Sequence, residues 1–175
     1  MIERSPEDNA VFTIRVADVG DVPAIDWLDT FGTSPHRNIN RGVANYFGSV
    51  DPSTHERNVI YLAALPLDQP TTLPYRVAGK AELLLAPQDE PHSDVGYIKR
   101  VVVHPDWRGK GIARALLEHI SHIAPTDYHV RNLDLHVWDG NAPAIRLYKS
   151  LGFTVRHREL YMRLALDEAD GENRA

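Results

Sequence analysis

Cysteine is absent from the chain, and with it go disulfides, thiolate metal sites and a cysteine nucleophile. No apolar run approaches the roughly 18 residues that a membrane-spanning helix needs. The opening residues, Met1 to Asp8, are polar and lack the apolar stretch of a secretory signal, so the expected location is cytoplasmic. Positive charge is also short: the net charge is −5, which disfavours a nucleic-acid surface. Internal repeats and low-complexity segments are missing too.

What is present is an ordinary globular composition, 43% hydrophobic and 25% charged over 175 residues. That length suits one domain with a sizeable core. Residues 1–10 form a polar lead, 11–166 the domain, and 167–175 a tail expected to be disordered, since it holds four acids, one arginine and no large apolar residue. Alternation at Phe12, Ile14 and Val16 predicts a first strand, and Val22, Ile25 and Leu28 predict a helix within Asp18–Thr30. Strands are predicted over Asn58–Leu65, Tyr75–Leu85 and Val95–His104, with proline-rich or turn-rich loops between them. Ile112, Ala113, Leu116, Leu117, Ile120 and Ile123 then make one stripe of a helix that Pro125 should end. Leu133, Leu135 and Val137 alternate as a buried strand, Asn141 caps a second long helix, and Gly152 suits its C-terminal cap. Two closing strands are expected at Phe153–His157 and Glu159–Leu166. The order is α/β: a mixed, mostly antiparallel sheet flanked by helices.

Charge is unevenly placed. Lys99, Arg100, Arg108, Lys110 and Arg114 face only Asp106 within sixteen residues, a basic island on an acidic protein. At its centre a strand gives way through Arg108-Gly109-Lys110-Gly111 to a helix beginning Ile112-Ala113. Glycines let the backbone turn its N–H groups inward, and a helix N-terminus adds unpaired donors, so the stretch fits a pyrophosphate. A Walker loop would require Ser or Thr after the lysine, and a dinucleotide fingerprint would lie early in a β-α-β unit. A plain tight turn before a helix explains the glycines equally well on this stretch alone.

A second stretch adds to the first. Arg108-Gly109-Lys110-Gly111-Ile112-Ala113 resembles the (Arg/Gln)-x-x-Gly-x-(Gly/Ala) signature of the GNAT superfamily of N-acetyltransferases. Asn141-Ala142-Pro143-Ala144-Ile145-Arg146-Leu147-Tyr148-Lys149-Ser150-Leu151-Gly152-Phe153 resembles that family's Asn-x-x-Ala-x-x-x-Tyr-x-x-x-Gly-Phe pattern. The element order is similar over about residues 12 to 166. The resemblance implies a single-domain GNAT-like fold that uses acetyl-CoA as acyl donor, with no metal.

By the same resemblance, the backbone of Val101, Val102 and Val103 would pair with the pantetheine arm. Arg108, Gly109, Lys110, Gly111, Ile112 and Ala113 would hold the pyrophosphate, and Asn141 and Ala144 would lie along the cofactor. Tyr148 falls at the general-acid position, where a phenol can protonate the departing thiolate. Many members carry a glutamate base on the central strand, but Tyr97 and Lys99 occupy those positions here. Glu82 on the preceding strand is the nearest replacement. Asp134 and His136, which share one face of their strand, are alternatives, and an amine arriving neutral would need no base. Alternation puts Lys99 and Arg100 on opposite faces, so only one would reach the acceptor, where a lysine favours an anionic group. Phe31 to Tyr46, with His36, Arg37, Asn38, Arg41 and Tyr46, occupies the region expected to shape the acceptor pocket. His119 and His122, three apart on a helix, lack a locally spaced third ligand and are expected to be exposed polar residues.

These readings imply direct transfer of an acetyl group to a primary amine in a ternary complex, with a small-molecule acceptor expected before a protein one. Nucleic acid and membrane are not expected partners, and a homodimer agrees with the habits of the family. A catalytically degenerate acyl-CoA-binding regulatory module is the competing expectation, and a nucleotide-binding regulator is a third.

Overall fold

The computed structural model describes residues 11–32, 55–91, 93–160 and 162–164. Five strands form one sheet in sequence order: β1 (Thr13–Val16), β2 (Arg57–Ala64), β3 (Val77–Leu85), β4 (Val95–Val103) and β5 (Asn132–Leu135). The first three pairings are antiparallel and β4–β5 is parallel. Helices α1 (Val22–Asp29), α2 (Ile112–Asp127) and α3 (Ala142–Ser150) complete it, with 3-10 turns at Val19–Asp21 and Pro105–Trp107.

Alternation along the strands divides the interior in two. Val59, Tyr61 and Ala63 of β2 join Ala81, Leu83 and Leu85 of β3 in a cluster closed by Ile112, Leu116, Leu117, Ile120 and Ala124 of α2. Ile60 and Leu62 point the other way, into a smaller cluster with Ala24, Ile25 and Leu28 of α1. Gly79 makes the first of these contacts close. A Cβ there would lie 2.9 Å from the Ile112 side chain and 3.0 Å from the Val102 carbonyl, so α2 begins almost on the backbone of β3.

The structure departs from the sequence expectations in three elements: β5 stops at Leu135, its Leu133 and Leu135 are only half-buried, and Val137 beyond it is exposed because the strand has already left β4. α2 runs through Pro125 to Asp127, because a proline in the last turn deprives only the exposed Ser121 carbonyl of a donor, while Tyr128 and Val130 both donate to Ala124. Among the described residues the closing strands are not seen: residues 153–160 and 162–164 lie in no strand. Leu160, Met162 and Leu164 are exposed, so their alternation has no apolar surface to meet. The expected acceptor-shaping residues from His36 to Tyr46, and the terminal segments 1–10 and 167–175, lie outside the described residues. Among the described residues no helix is long and apolar enough to cross a membrane.

Candidate active site

The sheet opens between β4 and β5. Their pairing runs from Val95↔Asn132 to Ile98↔Leu135 and stops there. Lys99 to Val103 continue beyond it, paired to β3 on one edge and to no strand on the other among the described residues. A bulge lies at the same place. Lys80 pairs with Val102 and Glu82 with Lys99, so Arg100 and Val101 together oppose Ala81. Arg100 takes a φ of +49°, a conformation uncommon outside glycine.

The bulge corrects the expectation that Lys99 and Arg100 diverge. The left-handed residue interrupts alternation, and both cations turn toward Glu82: Arg100 lies 3.4 Å from Oε1 and Lys99 lies 4.0 Å from Oε2. Glu82 itself is fully buried. Lys80 Nζ lies 2.6 Å from Glu82 Oε1 and 2.6 Å from Asp29 Oδ1, and Asn58 donates to Glu82 Oε2 at 3.1 Å. Burial opposes ionisation of Glu82, but Lys80, then Arg100 and Asn58, outweighs it and holds the carboxyl below its ordinary value. Sequence reasoning missed this network. Its signal was two charges, Lys80 and Glu82, alternating inside a strand otherwise apolar throughout its middle.

Beyond β4, the 3-10 turn is pinned by stacking. His104 lies parallel to Trp27 at 5.1 Å and edge-on to Phe31 at 4.6 Å. Its backbone N–H donates to Ala78, and its Nδ1 accepts from Asp106 N–H. Next come Gly109 and Gly111 at φ +75° and +76°, where an added Cβ would meet nothing within 4 Å. The glycines therefore serve backbone direction, not packing. The α2 ladder begins with Ala115 N–H donating to Gly111, which leaves the donors of a helix start ahead of it. The two cations of the loop both have partners within the chain. Arg108 folds back onto the carbonyls of Val103 (3.1 Å) and Phe31 (3.4 Å), and Lys110 lies over the Trp107 ring at 5.9 Å. Both positive side chains thus brace the loop, while the backbone donors at the start of α2 lie at the positive end of the helix dipole. An open cleft of about 510 Å³ borders it, lined by Gln69, Pro70, Thr71, Thr72, Asp106, Trp107 and Lys110.

The second motif has a physical explanation in the end of α3. Gly152 at φ +94° lets its N–H donate to Lys149, while Phe153 N–H donates to Tyr148 at 3.0 Å. This is a Schellman cap, and its apolar contact is Phe153 edge-on to Tyr148 at 5.9 Å. Tyr148 is thus fixed at both backbone and ring. Burial raises its phenol above the ordinary value, so it keeps its proton at neutral pH. Tyr148, Val101 and Val103 pack at the margin of the same core cluster. At the other end of α3, Asn141 accepts from Ala144 N–H and its side chain is occupied as the helix cap. Arg114 donates to Ser150 and ties the first turn of α2 to the last of α3. His119 is only half-exposed and lies edge-on to Tyr61, a correction to its expected place in solvent, whereas His122 is exposed.

Comparison with known proteins agrees with this geometry. The model of the acetyltransferase (GNAT) family matches residues 50–153. A glucosamine 6-phosphate N-acetyltransferase from Trypanosoma brucei brucei is 30% identical over 92 residues, 51% of this chain and 58% of that protein. A mycothiol acetyltransferase from Thermobifida fusca (strain YX) is 42% identical over 60 residues, 34% of this chain and 18% of that one. The chain thus spans less than two thirds of either relative. Among solved structures, AAC(6')-Iy in complex with the bisubstrate analogue CoA-S-monomethyl-acetylneamine superimposes with a TM-score of 0.59 at 14% identity, over 89% of this chain and 99% of that one.

Proposed function

The chain belongs to the GNAT acetyltransferase family, and from that premise we propose that it transfers an acetyl group from acetyl-CoA to a primary amine, by direct attack in a ternary complex. The observation that carries the reading is a glycine-directed backbone cradle at the start of α2, placed directly after the strand edge left open by β5. The open space at Gly109 and Gly111 fits a pyrophosphate approaching the backbone. In this reading Arg108 to Ala113 hold it through their N–H groups, Val101 to Val103 pair with the pantetheine arm, and Asn141 and Ala144 border the cofactor.

Acetyl-CoA supplies an activated acyl carbon, where the amine nitrogen forms a C–N bond as the C–S bond breaks. Tyr148 gives its hydroxyl proton to the departing sulfur, and the proton shed by nitrogen restores the phenol through solvent. The products are the amide and free CoA. With no cysteine in the chain, no thiol carries the acetyl group between donor and acceptor. Glu82 is assigned a positioning part instead of the base that its place on β3 suggested. A carboxylate held low by Lys80 and closed off from solvent is a weak proton acceptor, but it anchors Lys99 and Arg100 beside the opening. The amine then reacts through its neutral fraction. A small molecule is the proposed acceptor, in keeping with the amino sugar named for the trypanosomal relative.

Thiol release in the presence and absence of an amine panel tests the reading. Tyr148→Phe is expected to lower amine-dependent turnover by about tenfold or more with unchanged CoA affinity. Undiminished turnover would remove the acid role. The same engagement of Glu82 by Lys80 and Arg100 favours one other reading, an acyl-CoA-binding regulatory module, and tight CoA binding with no turnover on any amine would select it.

A further inference from the structure

β5 ends at Leu135, and the next residue, His136, stands where β4 and β5 part. Its Nδ1 is 2.7 Å from the Tyr97 hydroxyl across the strand pair, with the two rings 5.5 Å apart. Its other nitrogen faces a different part of the chain. Glu159 Oε1 lies 3.6 Å from His136 Nε2 and 3.0 Å from His157 Nε2. One ligand atom from each of the three residues falls within 4.8 Å of the other two. His157 and Glu159 are two apart in a chain without helical structure, so they present their side chains to the same side.

Phe153 is tied to Tyr148 at the end of α3, and the residues after it are exposed. Residues 153–160 join no strand, and Leu160 is 89% exposed. The neighbouring Arg158–Asp139 pair is long at 3.9 Å and exposed on both sides. Exposed ion pairs of this kind contribute little. Two imidazole nitrogens and a carboxylate oxygen form, by contrast, a donor set that zinc accepts with water as fourth ligand. Bonds near 2.1 Å in tetrahedral array put ligand atoms roughly 3.4 Å apart, close to the two separations above. Tyr97 completes the arrangement. With Nδ1–H donating to the Tyr97 oxygen, the Nε2 lone pair of His136 is free to ligate, and the ring is oriented by its outer partner.

We propose that His136, His157 and Glu159 form a zinc site that clips the segment following α3 to the end of β5. The site is independent of the acetyl-transfer reading, because its evidence and its test involve neither cofactor nor turnover. Full-length, tag-free protein freed of metal with a chelator is titrated with Zn²⁺ by calorimetry and by thermal unfolding. The expected result is saturable one-site binding and a melting temperature that rises with the logarithm of zinc concentration. Co²⁺ should give the intense visible absorption of a tetrahedral site. The exposed substitutions Glu159→Gln and His157→Ala should each weaken binding by about tenfold or more, and Tyr97→Phe by about tenfold. His122→Ala should leave it unchanged. Absence of one-site binding, or equal affinity in the His157→Ala/Glu159→Gln double variant with its circular dichroism intact, would overturn the site.

Discussion

Lys80 and Glu82 occupy β3 positions facing Leu62 and Ile60, where neighbouring residues build apolar core. Both are fully buried, and their charges survive there only because Asp29, Arg100 and Asn58 surround them. Removing one member leaves the others uncompensated. Lys80→Met is therefore expected to cost about 3 kcal/mol in urea unfolding at neutral pH. The pH dependence has a definite sign. Glu82 is depressed in the fold, so its contribution is complete above the ordinary glutamate value of about 4.3 and is lost as pH falls from there through the lowered one. Without Lys80 the depression of Glu82 should be smaller, so the stability that Glu82 contributes above the ordinary glutamate value, and the part of it lost on acidification, should both shrink. An undiminished acid loss in Lys80→Met would mean that Lys80 does not hold the carboxylate. Tyr148 is the opposite case, a group whose neutral form is favoured by burial.

Among the elements, the start of α2 sets the position of the glycine loop. Its position depends on Gly79, where a Cβ would press on Ile112 and on the Val102 carbonyl. Gly79→Ala should lower stability by about 1–3 kcal/mol through overpacking and also weaken CoA binding, measured by denaturation and calorimetry respectively. Loss of stability with full CoA affinity would separate the loop from its seat on β3. Both long helices were legible in the sequence, since a 3.6-residue stripe over Ile112–Ile123 and the Asn141 and Gly152 caps are local signals. The four strands through β4 were legible for the same reason. The bulge at Arg100 was not, because alternation is assumed until a residue breaks it, and an arginine at positive φ has no local signature. Nor was the fate of residues 153–160 and 162–164: alternation predicts strands, but pairing needs a partner edge that sequence does not display. The His136, His157 and Glu159 cluster shares that difficulty, because spacing along the chain exposes only neighbours such as His119 and His122.

For the molecule as a whole, the sheet and its two apolar clusters hold a frame from which the candidate site is cut at one place. There β5 leaves β4, the bulge turns Lys99 and Arg100 to one face, and the glycine loop opens α2. Arg108, Lys110 and His104 brace that loop from behind through Val103, Phe31, Trp107 and Trp27. Everything in the proposed chemistry depends on whether this opening receives acetyl-CoA. The most direct measurement is thermal unfolding of the protein against acetyl-CoA, CoA, ATP and NAD, with Gly111→Asp alongside. Selective stabilisation by acetyl-CoA and CoA, rising with the logarithm of concentration and lost in Gly111→Asp, is the predicted result. Equal or greater stabilisation by ATP or NAD, or no shift with either form of CoA, would contradict the account.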